Sequence, residues 1–157
     1  MKELAEYRTK LMKRLEEAAS EFREECLKVS DPQARLDAEG WTVHQIAVHT
    51  RDVDQLVYGA RARRTALEEN PEFPNFDGEA HMAVNYSSGE SLQEVLDSLV
   101  ENIRALVKLL RTLPVEAWSR VSRHTTLGGG LTLQTWIEKD LAHIEEHMET
   151  VKKRNHQ

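Results

Sequence analysis

The chain has 157 residues, with 27 acidic and 21 basic side chains and a formal net charge of −6. This length predicts a single domain over residues 1–157. An acidic surface repels phosphate backbones, which argues against nucleic acid as a partner. The single cysteine, Cys26, excludes an internal disulfide and favours a reduced, cytoplasmic protein, and no apolar stretch is long enough to predict a membrane segment.

The first predicted element is a helix from about Lys2 to Leu27. It ends before Pro32, because proline cannot continue the helical hydrogen-bond ladder. Its apolar residues recur at steps of three and four, which places them on one stripe. This stripe consists of Leu4, Leu11, Leu15, Ala18, Phe22 and Cys26.

The second predicted helix begins after Thr42, where a capping box joins Thr42 and Gln45. His44 takes an early position in this helix, and we expect it to face solvent. One member of the apolar stripe is a histidine. The stripe consists of Ile46, His49, Val53, Leu56 with Val57, and Ala60.

A long connection, from about Asn70 to Glu90, follows the second helix. It carries Phe73, Phe76 and Tyr86 among turn-forming residues. We therefore expect it to pack across the other helices, and connections of this length in compact domains often serve function.

The third predicted helix begins with a second capping box at Ser91–Glu94. Its apolar residues alternate steps of four and three, as in a helical bundle: Leu92, Leu96, Leu99, Ile103, Leu106 and Leu110. After Pro114 we expect a short turn that holds Trp118 and an irregular stretch that continues through Gly130.

The fourth predicted helix is capped by Thr132 and extends to about Lys153. Its inner face consists of Leu133, Trp136, Ile137, Leu141, Ile144, Met148 and Val151. No segment alternates apolar and polar residues as a strand requires, so the sequence predicts an all-α four-helix bundle.

His143 and His147 lie four positions apart on the fourth helix. At this spacing their Cβ atoms are about 5–6 Å apart on the same side of the helix, and two imidazoles so placed can bind one ion. His49 lies in the core-facing stripe of another helix, where burial costs free energy unless the ring gains a partner. The spacing alone leaves two interpretations open: a three-histidine metal site with free coordination positions, or a set of structural core histidines.

Asp52 is the candidate catalytic residue, since it follows His49 by three positions. It can orient a ligand imidazole or accept a proton from bound water. Alternatively, it is a solvated residue that pairs with Arg51 or Arg61, and the sequence does not decide between these interpretations.

Several other polar residues have weaker patterns. Asp140 precedes His143 by three positions, but the further Glu-x-x-His motif of a di-iron bundle is missing, so one metal is favoured. Three arginines of the second predicted helix can bind an anionic substrate, although a solvated face is favoured. Two histidines lie in predicted loops, where they can line a pocket. These residues are Arg61, Arg63, Arg64, His81 and His124.

Three stretches carry a resemblance to a known family. The run Trp41–Asp52 resembles the Trp-Ser-Val-x-x-x-x-x-His-x-x-Asp signature of the DinB-like superfamily. The stretch His124–Leu133, with the later His143-x-x-x-His147 pair, resembles the last loop and ligand helix of that family. Ala66–Pro71, with Phe76 and Asp77 after it, is similar to the YfiT-type branch of metal-dependent hydrolases and bacillithiol S-transferases.

This resemblance implies an up-down-down-up bundle with the long connection between helices two and three. It implies that His49, His143 and His147 bind one divalent ion, nickel or zinc. The ion would activate water or a low-molecular-weight thiol such as bacillithiol, in a homodimer that acts on a small-molecule substrate. After Trp136, Ile137–Ala142 replaces the histidine-dense run of the YfiT-type branch, which leaves the thiol cofactor open. The alternative function is a non-catalytic bundle that binds a metal or small molecule in a stress response.

Overall fold

The computed structural model describes residues 2–36 and 40–156. Its α-helices are α1 Lys2–Leu27, α2 Val43–Val53, α3 Gly59–Leu67, α4 Gly78–Asn85, α5 Leu92–Thr112 and α6 Leu133–Asn155. A π-helical turn, Asp54–Tyr58, joins α2 to α3, and a 3-10 turn, Val115–Ser119, follows α5. The strands are β1 Glu72–Phe73, β2 Val121–His124 and β3 Gly128–Thr132.

The predicted four-helix bundle is confirmed. Its four arms are α1, the α2–α3 unit, α5 and α6, with α1 packed on α5 and α6, α2 on α5, and α3 on α6. Each fully buried large apolar side chain stabilises the fold by about 1.5–3 kcal/mol. The largest of these side chains are Leu15, Phe22, Leu96, Leu99, Ile103, Leu106, Leu110, Leu133, Trp136, Ile137 and Ile144.

The helix starts follow the predicted caps. Thr42 Oγ1 accepts the backbone N–H of Gln45 at 3.0 Å, and Gln45 Oε1 accepts that of Thr42 at 2.8 Å, which completes the capping box. Ser91 caps α5 and Thr132 caps α6 through their hydroxyl groups. These side chains satisfy backbone donors that a helix end leaves free.

The π-helical turn corrects the predicted stripe of the second helix. The wider turn, closed by a bond from the Gly59 N–H to the Asp54 carbonyl, rotates the following residues away from the expected face. Leu56, predicted to lie in the core, is 49% exposed, and Asp54 is 1% exposed. A Cβ on Gly59 would lie 2.5 Å from the Asp54 carbonyl oxygen, so this turn requires glycine there.

The prediction that no segment forms a strand was wrong, because a small three-stranded sheet accompanies the four-helix bundle. Strand β1 pairs in parallel with β2, and β2 pairs antiparallel with β3. The strands have two, four and five residues, too short for an alternating pattern to be visible in the sequence. The sheet packs on α6, where Trp136 Nε1 donates to Ser122 Oγ at 2.7 Å.

The long connection packs against the bundle, as predicted. Phe73 is 2% exposed and its ring lies 5.7 Å from that of Trp136, edge to face. The connection also contains α4, whose first turn is capped by a bond from the Ala80 N–H to Asp77 Oδ1. Among the helices of residues 2–36 and 40–156, none combines the length and apolar character needed to cross a membrane.

Candidate metal centre

The fold brings His49 of α2 together with His143 and His147 of α6. The Nε2 atom of His143 lies 3.1 Å from Nε2 of His49 and 3.1 Å from Nε2 of His147. The potential ligand atoms of the three rings all lie within 4.8 Å of one another. The described residues contain no other group of three or more histidine, cysteine, aspartate or glutamate side chains in such an arrangement.

Burial keeps these imidazoles neutral. Burial, followed by the nearby His147, lowers the pKa of His49 to about 4. Burial, followed by the two neighbouring histidines, lowers the pKa of His143 to about 3. Burial also lowers the pKa of His147. A neutral imidazole has a nitrogen lone pair, which is what a metal ion needs from a histidine ligand.

The spacing of the nitrogens fits a shared ion better than a hydrogen-bonded cluster. Nitrogens bound at about 2.0–2.1 Å to one ion lie about 3.3 Å apart in a tetrahedral arrangement and about 2.9 Å apart in an octahedral one. The two 3.1 Å separations fall between these values. A neutral ring nitrogen donates one proton or accepts through one lone pair, so a hydrogen bond satisfies only one of the two contacts at His143.

The walls of the site come from α4 and from the residues before α2. The Trp41 ring packs edge-on against His49, with ring centroids 4.9 Å apart. Gly78 also lies close to this ring, since a Cβ there would lie 3.1 Å from Cε1 of His49. The Nδ1 atom of His143 is buried and has no hydrogen-bond partner in the described part of the chain.

Two cavities meet at the histidines. The larger, of about 700 Å³, is lined by all three rings and by the acidic side chains Asp77, Glu79 and Glu146. The smaller, of about 340 Å³, also reaches His49 and His143, and its polar lining includes Arg61 and His124. The centre is therefore open on an acidic side and on a basic side.

Asp52, the candidate catalytic residue, makes its contacts outside the histidine cluster. Its carboxylate accepts from Arg51 Nε at 2.8 Å and lies 3.1 Å from His81 Nε2. Arg51 in turn forms an ion pair with Glu90. These contacts agree with the interpretation of Asp52 as the partner of Arg51, and His81, expected in a loop, lies in α4.

His44 was expected to face solvent, but it is only 2% exposed. Its Nδ1 lies 2.6 Å from the Tyr86 hydroxyl and its Nε2 lies 2.6 Å from the Glu90 carbonyl oxygen. The carbonyl oxygen can only accept, so Nε2 carries the proton and Tyr86 donates to Nδ1. The prediction failed because both partners belong to the long connection, which folds back over the start of α2.

The arginines differ from the expected solvated face. Arg61 is 8% exposed and donates from Nη2 to the Pro74 carbonyl at 2.8 Å. Arg63 donates to the Asn102 carbonyl at 3.2 Å. Only Arg64 matches the prediction, since it is exposed and pairs with Glu68 four residues later.

Two features of the site were not predicted from the sequence: the pairing of Asp54 with Asp140, and the position of Glu146. Asp54 and Asp140 are 1% and 0% exposed, and no other described group donates a hydrogen bond to their carboxyl oxygens. The two side chains are within hydrogen-bond reach of each other, and a hydrogen bond between them requires that one carboxyl hold a proton. Burial, followed by the proximity of Asp54, raises the pKa of Asp140 well above its usual value. The second is Glu146, in the pattern His143-x-x-Glu146-His147. This H-x-x-E-H spacing is known from inverted zinc-peptidase motifs and is the signal that points to Glu146.

A four-helix bundle with three convergent imidazoles at a cavity defines a candidate mononuclear metal-binding protein. The chain belongs to the DinB superfamily, whose family model matches residues 2–151. The solved structure of YfiT from Bacillus subtilis, described as a probable metal-dependent hydrolase with an unusual four-helix bundle topology, has the same fold. It superposes with a TM-score of 0.85 at 23% identity, over 96% of this chain and 87% of that chain. A search of curated proteins gave no match.

Proposed function

We propose that this protein is a metal-dependent hydrolase in which His49, His143 and His147 hold one divalent ion, zinc or nickel. The observation that carries the proposal is the convergence of three neutral imidazoles at a cavity, with no fourth protein ligand among the described residues. Closed structural zinc sites have four protein ligands, whereas catalytic sites keep a position free. Membership of the DinB superfamily supports the same function.

The chemistry divides between the ion and the surrounding side chains. When bound, a divalent ion lowers the pKa of water toward neutrality and polarises an ester or amide carbonyl. The half-buried rings of His49 and Trp41 pack against each other and restrict access of bulk water to one side of the centre. Glu146 lines the same cavity, and we assign its carboxylate as the acceptor of the proton that the attacking water loses.

Transfer of a low-molecular-weight thiol, such as bacillithiol, is the alternative reaction at the same three ligands. The larger cavity, of about 700 Å³, has the volume of a typical small-molecule site. The two reactions differ in their products, because hydrolysis consumes water whereas transfer leaves the thiol sulfur bonded to the product.

The test is ester hydrolysis by untagged protein loaded with zinc or nickel, with p-nitrophenyl acetate as the probe. We expect a rate that depends on the metal and that falls about 100-fold or more in Glu146→Gln at unchanged metal content. The matched control is Glu149→Gln, which removes an exposed carboxylate from the same helix and should keep the full rate.

Equal rates in metal-loaded and chelator-treated protein would contradict the proposal. A turnover that requires added thiol and yields a thioether or thioester would favour the transferase instead. A full rate in Glu146→Gln would reject Glu146 as the proton acceptor and leave the metal assignment standing.

A further inference from the structure

Arg61 is a buried cation without an anionic partner. It lies on α3 and is 8% exposed, yet no acidic side chain of the described residues forms an ion pair with it. One nitrogen, Nη2, donates to the Pro74 carbonyl. A guanidinium has five N–H donors, so most of them are available to a ligand. Burying an unpaired charge is costly, and a bound anion would offset that cost.

Aromatic rings fix the position of this guanidinium. Its central carbon lies 4.9 Å from the ring centroid of Trp136 and 5.7 Å from that of Phe73. Attraction to the ring faces stabilises the cation but leaves its N–H groups free for hydrogen bonds. Burial lowers the pKa of Arg61, but arginine remains charged at neutral pH.

His124 supplies a second donor beside Arg61. Its Nδ1 accepts the backbone N–H groups of Thr126 and Leu127, both at 3.1 Å. Since Nδ1 is an acceptor, the proton of the neutral ring is on Nε2. Nε2 has no hydrogen-bond acceptor among the residues that the structure describes, although the residue is only 7% exposed.

Both side chains line the smaller cavity, which also reaches the metal-centre residues His49 and His143. We propose that Arg61 and His124 form a subsite that binds an oxyanion, the carboxylate or phosphoryl group of the substrate, beside the metal centre. The role in catalysis rests on the proposed hydrolase function, whereas binding of the anion does not. A planar guanidinium matches two oxygens of a carboxylate or phosphate, and the imidazole N–H can serve a further lone pair.

The remaining surroundings define the class of substrate further. The wall of the smaller cavity includes the apolar side chains Val53, Val57 and Leu127, whereas the acidic groups line the larger cavity. An anionic substrate would therefore place its charged group against Arg61, away from the acidic side chains of the larger cavity. The substrate class is a small ester, amide or related compound with an oxyanion joined to the reacting group by a short aliphatic segment.

The test is calorimetric titration of the metal-free protein with succinate and, separately, with inorganic phosphate. We expect binding of at least one anion in the millimolar range, weakened about tenfold or more in Arg61→Gln. Tighter binding of succinate identifies the carboxylate, and tighter binding of phosphate identifies the phosphoryl group. Arg64→Gln is the matched control, since it removes an exposed arginine from the same helix and should bind like the wild type.

A spectroscopic measurement keeps the proposal testable if Arg61→Gln does not fold. In the wild type, the His124 imidazole should show the Nε2–H tautomer by nitrogen NMR, and its Nε2 resonance should shift as the anion is added. The proposal would be overturned if neither succinate nor phosphate bound, or if their binding were unchanged in Arg61→Gln. It would also be overturned if the bound anion left the His124 resonance unmoved. Because the titration uses metal-free protein, a missing metal centre would leave its result unaffected.

Discussion

The Nε2 atoms of His49 and His143 lie 3.1 Å apart, although the two residues are separated by 94 positions in the sequence. Both rings are neutral, and His147 makes a second contact of the same length with His143. Hydrogen bonds cannot satisfy both contacts at once. The bundle therefore holds three imidazoles close together at a cost in stability, which the binding of an ion would offset.

Gly78 controls the position of His49, because a Cβ there would lie 3.1 Å from Cε1 and 3.6 Å from Nδ1 of the ring. We expect Gly78→Ala to weaken zinc affinity by about tenfold or more, the usual effect of disturbing a ligand's support. The helix preference of alanine offsets part of the cost of crowding His49, so the free energy of unfolding of the metal-free variant should stay within about 1 kcal/mol of the wild type. Competition with a chromophoric chelator measures the affinity.

Gly89→Ala is the control for this substitution, because its nearest contact would be Ser87 Oγ at 3.6 Å. It should leave zinc affinity unchanged. Equal affinities in the two variants would show that the approach of α4 does not position His49.

His44 has a structural role distinct from the metal binding that we propose for His49, His143 and His147. We expect His44→Ala to lower the free energy of unfolding by about 1–3 kcal/mol, because it leaves the Tyr86 hydroxyl and the Glu90 carbonyl without their shared partner. Urea denaturation measures this loss, and Tyr86→Phe should cause a smaller one. Both variants should retain full metal content, and loss of the ion in His44→Ala would contradict the division of roles.

The buried carboxyls of Asp54 and Asp140 make stability depend on pH. Burial raises the pKa of both groups above the usual 3.8. Below pH 3.8 the folded and unfolded states both hold these protons. As pH rises, the unfolded state releases them first, so stability falls as pH approaches the raised values.

Asp140→Asn removes one of these ionisations and nearly preserves the shape of the side chain. At neutral pH we expect the variant to be more stable, by on the order of 1–3 kcal/mol, because an amide can donate a hydrogen bond to Asp54 without keeping a titratable proton in the core. The gain should shrink toward pH 4 in urea denaturation series. Glu101→Gln, at an exposed position of α5, is the control. A gain of constant size at all pH values would refute the linkage.

The helical bundle, the helix caps and the three clustered histidines could be predicted from local sequence patterns. Apolar residues at helical spacing define the buried faces, and the Thr42 and Thr132 caps mark where α2 and α6 begin. His49 could be identified as a candidate metal ligand because it interrupts an apolar stripe, where a polar ring costs free energy unless it gains a partner. The close approach of His143 and His147 follows from their spacing on one helix.

The features that were missed depend on contacts distant in sequence. Leu56 turned outward because of a π-helical turn, for which the helical spacing gave no signal. Arg61 is buried because Pro74 and Trp136 reach it from the connection and from α6. The H-x-x-E-H spacing indicates Glu146, whereas the predicted catalytic candidate was Asp52, which the structure pairs with Arg51.

Metal content by mass spectrometry on untagged protein tests the central claim most directly. We expect about one zinc or nickel ion per chain in the wild type, lost together with several degrees of melting temperature in His49→Ala, His143→Ala and His147→Ala. His156→Ala, which removes an exposed histidine near the chain end, should retain the ion. A wild-type protein that binds neither zinc, nickel nor manganese and melts unchanged in chelator would contradict the account, and the three histidines would then be structural.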